Sequence, residues 1–259
     1  MKPKAHFIAA ELLNPTNPIE VCLIGAGGTG LQVLTALARM SHSLQALGHA
    51  GFQVSLWDDD SVTEANRGRQ LFAQCEVGLP KAAALISRCN RFFGTGWKAV
   101  NKKFDRQSGQ AKAAIYISCV DTVAARFEIA GALRDANGSS HYANTPRYWM
   151  DFGNGKDTGQ VILSTIGSIK QPKSEMYETN ESLPFVTDEF GELLRQSEND
   201  TDAPSCSLTE ALEKQNLFIN STLAQMGCSL LWQLFRSGMT TQRGLFLNIA
   251  EFRAVPLPV

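Results

Sequence analysis

Apolar and polar positions alternate in blocks along the first half of the chain, and the blocks differ in period. Ile19 to Ile24 (IEVCLI) is a short β-branched apolar run that stops at Gly25, the pattern of a buried parallel strand. From Thr29 to Leu47 the apolar residues Leu31, Val33, Leu34, Leu37, Ala38 and Met40 recur at helical spacing, with Gly48 as the stop. Strand, glycine turn and helix make the first half of a βαβ unit. Gln53 to Trp57 gives a second strand running into Asp58-Asp59-Asp60, Lys81 to Phe93 a second helix, and Ala113 to Val120 another fully buried strand. This alternation predicts an α/β fold, a Rossmann-like doubly wound sheet with mostly parallel strands.

The pattern loosens after that. Gly159 to Ile166 reads as one more strand, and the chain from there up to Ser205 is rich in Pro, Ser, Glu, Asp and Asn. A structureless stretch of that length is uncommon inside a compact domain unless it is functional or disordered, so residues 168–205 are expected to be a long crossover or partner-recognition loop. Helical spacing returns over 208–235, where Leu212, Leu217, Ile219, Leu223, Met226, Leu230, Leu231 and Leu234 make one apolar face. A last strand is expected at Leu245 to Ile249, within an antiparallel C-terminal extension. Arg147-Tyr148-Trp149 reads as surface and core, and Lys98, Lys102 and Lys103 as a solvated basic face.

Composition narrows the function classes. With 259 residues, 44% of them hydrophobic, the chain can bury one substantial core without staples, so residues 1–259 are expected to form a single domain. A formal net charge of −1 gives no general pull toward nucleic acid or membrane. No apolar run is long enough to span a bilayer or act as a signal peptide. The cysteines, Cys22, Cys75, Cys89, Cys119, Cys206 and Cys228, include no CxxC pair, which argues against a zinc site or a disulfide framework and suits a reducing cytoplasm. The four histidines are scattered without metal spacing.

The chemistry concentrates around Gly25-Ala26-Gly27-Gly28-Thr29-Gly30, which fits GxGxxG between a strand and a helix, where backbone N–H groups can hold phosphate. Glycines in such a turn also serve close helix–strand packing, so the motif alone is weak. Asp58 stands where a ribose-binding acid belongs, though beyond the roughly 20-residue spacing usual for it. Asn66, Arg69, Gln70 and Lys81 come next along the chain. A nicotinamide enzyme has no need of Arg69 and Lys81 beside its pyrophosphate, whereas a triphosphate losing pyrophosphate does. Asp121, just past the strand ending in Val120, sits at the carboxyl edge of the sheet, where it either holds Mg2+ against phosphates or caps the helix starting at Thr122.

The run from Trp57 to Gln70 (WDDDSVTEANRGRQ) resembles the D-x-D-x-V-x-x-x-N-x-x-R-Q signature of the MoeB/ThiF family, relatives of ubiquitin-activating enzymes. The GxGGxG turn, Gly78-Leu79-Pro80-Lys81, Cys119-Val120-Asp121, Arg126 and Gly159-Gln160-Val161 are similar to the family in the same order, mainly over the nucleotide-binding half, residues 19–130. The resemblance implies ATP- and Mg2+-dependent adenylation of the C-terminal carboxylate of a small ubiquitin-like or sulfur-carrier protein, by a homodimer. Gly25, Gly27, Gly28, Gly30, Asp58, Asp60, Asn66, Arg69, Gln70 and Lys81 would bind the nucleotide. Arg69, Lys81 and Asp121 would be catalytic, with Asp121 serving the magnesium. Cys206, in Pro204-Ser205-Cys206-Ser207, lies near where some relatives carry an acyl-accepting cysteine, and a thiol before a helix N-terminus can be activated. Two departures stand out: the two CxxC pairs of MoeB-type members are missing, and Met1 to Pro18 has no arginine where relatives place one that reaches the neighbouring subunit's ATP. Within the family the chain looks most like the ThiF-type member of bacterial PRTRC cassettes. The rival readings are a nucleotide-binding scaffold without turnover and an NAD-dependent oxidoreductase.

Overall fold

The computed structural model describes residues 2–67, 70–105, 113–137, 145–197 and 215–259. Among the described residues an eight-stranded sheet organises the chain. Its strands are β2 (Ile19–Ile24), β3 (Phe52–Trp57), β4 (Lys98–Val100), β5 (Ile115–Ser118), β6 (Tyr148–Asn154), β7 (Thr158–Thr165), β10 (Gln242–Asn248) and β11 (Arg253–Pro258), in the order β11-β10-β7-β6-β5-β2-β3-β4. From β4 to β6 every pairing is parallel; from β6 through β7 and β10 to β11 every pairing is antiparallel. This is the Rossmann-like, mostly parallel α/β fold that the hydrophobic pattern predicts, with its antiparallel C-terminal extension.

The central strands β2, β5 and β6 are short and almost wholly buried because helices cover both faces, whereas β3 alternates buried with half-buried residues and β4 is half-buried or exposed. Helices α1 (Gly28–Ala46), α2 (Lys81–Phe93) and α6 (Ile219–Ser237) flank a core that includes Leu23, Leu37, Leu56, Ile117 and Leu231. On the opposite face α3 (Val123–Asn137), α4 (Val186–Glu189) and α5 (Gly191–Ser197) belong with a second core around Tyr116, Leu133, Trp149 and Phe185. Because β3 and β5 lie on opposite sides of β2, the chain winds away from β2 in both directions. The crevice at the carboxyl end of β2 is the topological switch point at which α/β sheets bind ligands.

Helix α2 has the bounds the sequence predicts, and α1 ends one residue before Leu47, with His49 N–H donating to Leu44 O at 3.0 Å around Gly48 (φ 86°). The second half departs from expectation. Strand β6 is unforeseen: Tyr148 and Trp149 are its buried first residues, with Arg147 half-buried before them as a surface-and-core group, and Asp151 interrupts its apolar run yet is itself 1% exposed. The region 168–205 is not a bare loop where it is described. It holds β8 (Glu178–Thr179), α4 and α5, and buries Ile169, Leu183, Phe185 and Val186. The predicted helix over 208–235 begins only at Ile219 among the described residues, because Phe218 N–H bonds back to the Asn216 side chain in a turn at 3.0 Å. Strand β11 is likewise unforeseen.

Strand β8 also joins β1 (Lys4–Phe7) and β9 (Met239–Thr240) in a small sheet. His6 pins it: its Nδ1–H donates to Asn180 O at 2.7 Å, and its Nε2 accepts from the Tyr148 hydroxyl at 2.9 Å. That hydroxyl in turn accepts Ala9 N–H at 3.0 Å. No helix among the described residues is long and apolar enough to cross a membrane.

Candidate functional site

The glycine turn follows β2 directly, and its glycines have different physical reasons. A Cβ on Gly25 (φ 98°) would lie 2.5 Å from Cys119 O, and one on Gly30 would lie 1.9 Å from Gly25 O. A Cβ on Gly28 would press into the Asn220 amide at 2.7 Å. These three glycines let backbone and side chains close around the turn. Gly27 alone of the four has nothing within 4 Å of where a Cβ would stand, so here the missing side chain leaves open approach to the N–H groups at the start of α1.

The end of β3 is tied to this turn. Ala26 N–H donates to Asp58 Oδ2 at 2.6 Å, and Asp60 N–H donates to Asp58 Oδ1 at 3.0 Å. Burial raises the Asp58 carboxyl above its ordinary value, and the Ala26 N–H and the nearby Lys81 charge offset only part of that. Lys81, at the first position of α2, is 7% exposed. Its Nζ donates to Asp60 Oδ2 at 2.7 Å, and its N–H donates to Asp60 O at 2.9 Å. Lys81 is thus a half-desolvated cation on a short acidic leash, rather than a loose surface charge. Of the remaining residues predicted from this loop, Asn66 uses its side-chain oxygen to accept Thr63 N–H at 2.9 Å, closing a 3-10 turn. Gln70 is 5% exposed with its Oε1 unpartnered. Arg69 lies outside the described residues.

The loop after β5 closes the other side. Gly25 packs against the Cys119 carbonyl, and Asp121 stands exposed two residues on. At the start of α3 the Thr122 Oγ accepts Ala125 N–H at 3.3 Å. What fixes this loop is a buried network of which the motif reading names Arg126 but not its partners. Arg126 donates from Nη2 to Val120 O at 2.7 Å and to Phe152 O at 3.2 Å, and its Nε meets Asp151 Oδ2 at 3.2 Å. Asp151 also accepts from Ser118 Oγ at 2.6 Å, and Ser118 accepts Trp149 Nε1–H at 2.7 Å. Arg126 and Asp151 are 5% and 1% exposed, so the pair is desolvated and satisfied by hydrogen bonds on every side. Besides Arg126, the signal of it in the sequence is an Asp inside an otherwise apolar run, β6.

Thus Gly25, Gly27, Gly28, Gly30, Asp58, Asp60 and Lys81 lie together at the carboxyl ends of β2 and β3, and Asp121 follows the end of the neighbouring strand β5. Cys206 lies outside the described residues. Burial pushes the Cys119 thiol well above its ordinary range, and the Asp151 carboxylate acts in the same direction. Burial also raises Cys89, to about 11, and Cys228, to about 12, so none of these three is an activated thiolate. Among the described residues no group of three His, Cys, Asp or Glu is arranged to hold a metal ion.

A doubly wound sheet with a glycine turn, an acid after the second strand and a buried lysine opposite it defines a class of Rossmann-like α/β proteins with a built crevice at the switch point. The chain belongs to the ThiF family, which it matches over residues 4–251. No curated protein is a significant match to it. Among solved structures it is similar to selenomethionine PaaA, with a TM-score of 0.60 and 14% identity over 93% of this chain and 64% of PaaA. It is also similar to E. coli MccB with ATP (TM-score 0.58, 14% identity, 96% of this chain and 64% of MccB) and to E. coli MccB with MccA (TM-score 0.61, 14% identity, 96% and 65%). At this identity the likeness is one of fold, and the chain spans less than two thirds of the length of these proteins.

Proposed function

We propose that the chain binds ATP at the glycine turn and adenylates the C-terminal carboxylate of a small ubiquitin-like or sulfur-carrier protein. The carboxylate oxygen attacks the α-phosphorus of ATP, the bond from that phosphorus to the bridging oxygen breaks, and pyrophosphate leaves. The observation that carries this reading is the bond from Ala26 N–H to Asp58 at 2.6 Å, with Lys81 bonded to Asp60 beside it, which brings the open glycine turn, an acid and a buried cation close together. Family membership supports it, as do the MccB structures with ATP and with MccA.

In this reading α1 presents its free N–H groups past Gly27 to the phosphates, and Asp58 accepts from ribose hydroxyls. Lys81, released from Asp60 or shared with it, neutralises charge that grows on the leaving pyrophosphate. Arg69 and Gln70 add donors, and Asn66 holds their loop. A single exposed carboxylate, Asp121, fits a magnesium ion held mostly by phosphates and water rather than by a protein cage; when bound, the ion offsets triphosphate charge. Residues 1–259 act as one domain, working as a homodimer in the cytoplasm, and the PRTRC-type member remains the subtype the sequence favours. Cys206 is the acceptor if the acyl group moves on: its thiolate attacks the carbonyl of the acyl adenylate, a thioester forms and AMP leaves.

ATP–pyrophosphate exchange, measured with and without a small protein ending in Gly encoded beside this chain, tests the proposal. Exchange that needs that protein and disappears in Asp121→Ala is expected. ATP binding without exchange would favour a nucleotide-binding scaffold instead.

A further inference from the structure

Asn220 is drawn into none of the roles above, yet it is 6% exposed and bonded on three sides. Its Oδ1 accepts from Thr29 Oγ at 2.8 Å and from Asn154 Nδ2 at 3.3 Å, and its Nδ2 donates to Gln215 Oε1 at 3.0 Å. An apolar side chain would fill this place on α6 at no cost in desolvation; a buried amide is kept only where its partners satisfy it. The partner that matters is Thr29, second residue of α1 and itself 5% exposed. Gly28 has no side chain because the Asn220 amide occupies the space a Cβ would need.

We propose that Asn220 is a positioning residue for the nucleotide turn, acting through Thr29; the inference rests on the ATP reading above. The donors that α1 offers to phosphate are the N–H groups of its first turn, and their direction depends on how that turn is held. A free Thr29 hydroxyl would rotate to bond its own backbone or stand in the path of an incoming phosphate oxygen. Asn220 draws it back and away. The hold extends to the far side of the crevice: Asn154 ends β6, and Asn216, next to Gln215, donates from its N–H to Lys156 O at 2.9 Å and from its Nδ2 to Asp157 Oδ1 at 3.1 Å. The turn after β2 is therefore registered against α6 and the β6–β7 turn as well as against β3.

Calorimetric titration of the full chain with ATP and Mg2+, alongside thermal melting, tests this on Asn220→Ala, Thr29→Val, Thr29→Ser and the double variant Thr29→Val/Asn220→Ala. Asn220→Ala and Thr29→Val are each expected to weaken ATP binding by roughly tenfold, a loss on the scale of one buried hydrogen bond. The double variant is expected to be no weaker than either single one, because both break the same link. Thr29→Ser, which keeps the hydroxyl, is expected to recover most of what Thr29→Val loses. A role in packing alone would lower the melting temperature and leave the Kd for ATP of the folded protein unchanged, which overturns the inference; so do additive losses. If Asn220→Ala does not fold, the contrast between Thr29→Val and Thr29→Ser decides the matter by itself. Wild-type protein that fails to bind ATP overturns the ATP reading and this inference together, whereas wild-type binding with unaffected variants overturns the inference alone.

Discussion

The sheet has two regions built on different rules. From β4 to β6 the strands run parallel, so all their carboxyl ends meet on one edge, and three of the loops leaving that edge carry the candidate groups: Gly27 after β2, Asp58 and Asp60 after β3, Asp121 after β5. From β7 to β11 direction alternates, no set of helix N-termini converges, and the polar groups lock elements together instead. Arg243, 4% exposed, pairs with Glu189 of α4, and Arg134 pairs with Asp188. Parallel winding gathers reactive groups, while the antiparallel extension gathers structural ones. Arg126 sits at their border, since it reaches from α3 to Val120 O just past β5 and to Phe152 O within β6, the strand that pairs parallel with β5 and antiparallel with β7.

Glycine substitutions break this contrast most sharply. Gly30→Ala drives a Cβ to 1.9 Å from a backbone oxygen that cannot yield, and the expected cost of about 4 kcal/mol or more would show as a collapse of soluble, two-state protein in urea unfolding. Gly227→Ala, in α6, meets the Phe152 ring at 2.4 Å; a side chain can shift, so about 1–3 kcal/mol is expected. Gly27→Ala should leave stability almost untouched and weaken ATP binding. A Gly30→Ala protein as stable as wild type would contradict the packing reading of that glycine.

Next in size is the buried pair that joins the regions. Asp151→Asn or Arg126→Ala leaves one charge desolvated without its partner, and a loss of about 3–5 kcal/mol is expected in chemical denaturation. Exchange activity should fall further than the folded fraction does, because the loop carrying Asp121 loses its anchor at Val120 O.

A milder effect should come from acid. Burial lowers the His6 pKa below its ordinary 6.5, so between the folded value and 6.5 the unfolded chain binds more protons than the folded one. The resulting stability is complete above 6.5 and is lost as pH falls through the folded value. Melting curves from pH 7.5 to 5 should decline, and His6→Gln should flatten the decline while lowering the plateau. A wild-type curve unchanged over this range would remove His6 as the clamp of the small sheet.

The smallest expected change has the opposite sign. The raised Asp58 pKa means that its contribution to stability is present below about 3.8 and lost as pH rises through the folded value, so at neutral pH the charged form opposes folding. Asp58→Asn keeps an oxygen to accept Ala26 N–H and removes the charge. It should melt at or slightly above the wild-type temperature and yet bind ATP more weakly, the mark of a residue held for function.

The same two rules decide what could be read from the sequence. In the parallel half the central strands bury both faces and the loops after β2 and β3 carry their own signals, so IEVCLI, the glycine turn, the DDD end of β3 and the Lys81–Phe93 helix stand out locally. Crevice residues found that way include Asp58, Asp60 and Lys81. In the other half pairing partners are distant in sequence: β10 pairs with β7, and β1 with β8 and β9, so periodicity in either partner alone is weak. Strand β6 hid behind Asp151, whose charge is matched by Arg126 from another element. Asn220 hid for the same reason, since an amide on an apolar helix face is meaningful only once Thr29 is seen opposite it. Residues 168–205 read as loop because α4 and α5 are too short to show helical spacing, although Leu183, Phe185 and Val186 do bury.

Hydrogen exchange of backbone amides, with and without ATP and Mg2+, tests the division of labour most directly. Protection is expected at the Gly25–Gly30 turn, at Asp58 to Asp60, at the start of α2 and around Asp121, with β10 and β11 unchanged. Protection confined to β10 and β11, or none at saturating ATP, would contradict a nucleotide crevice built by the parallel half.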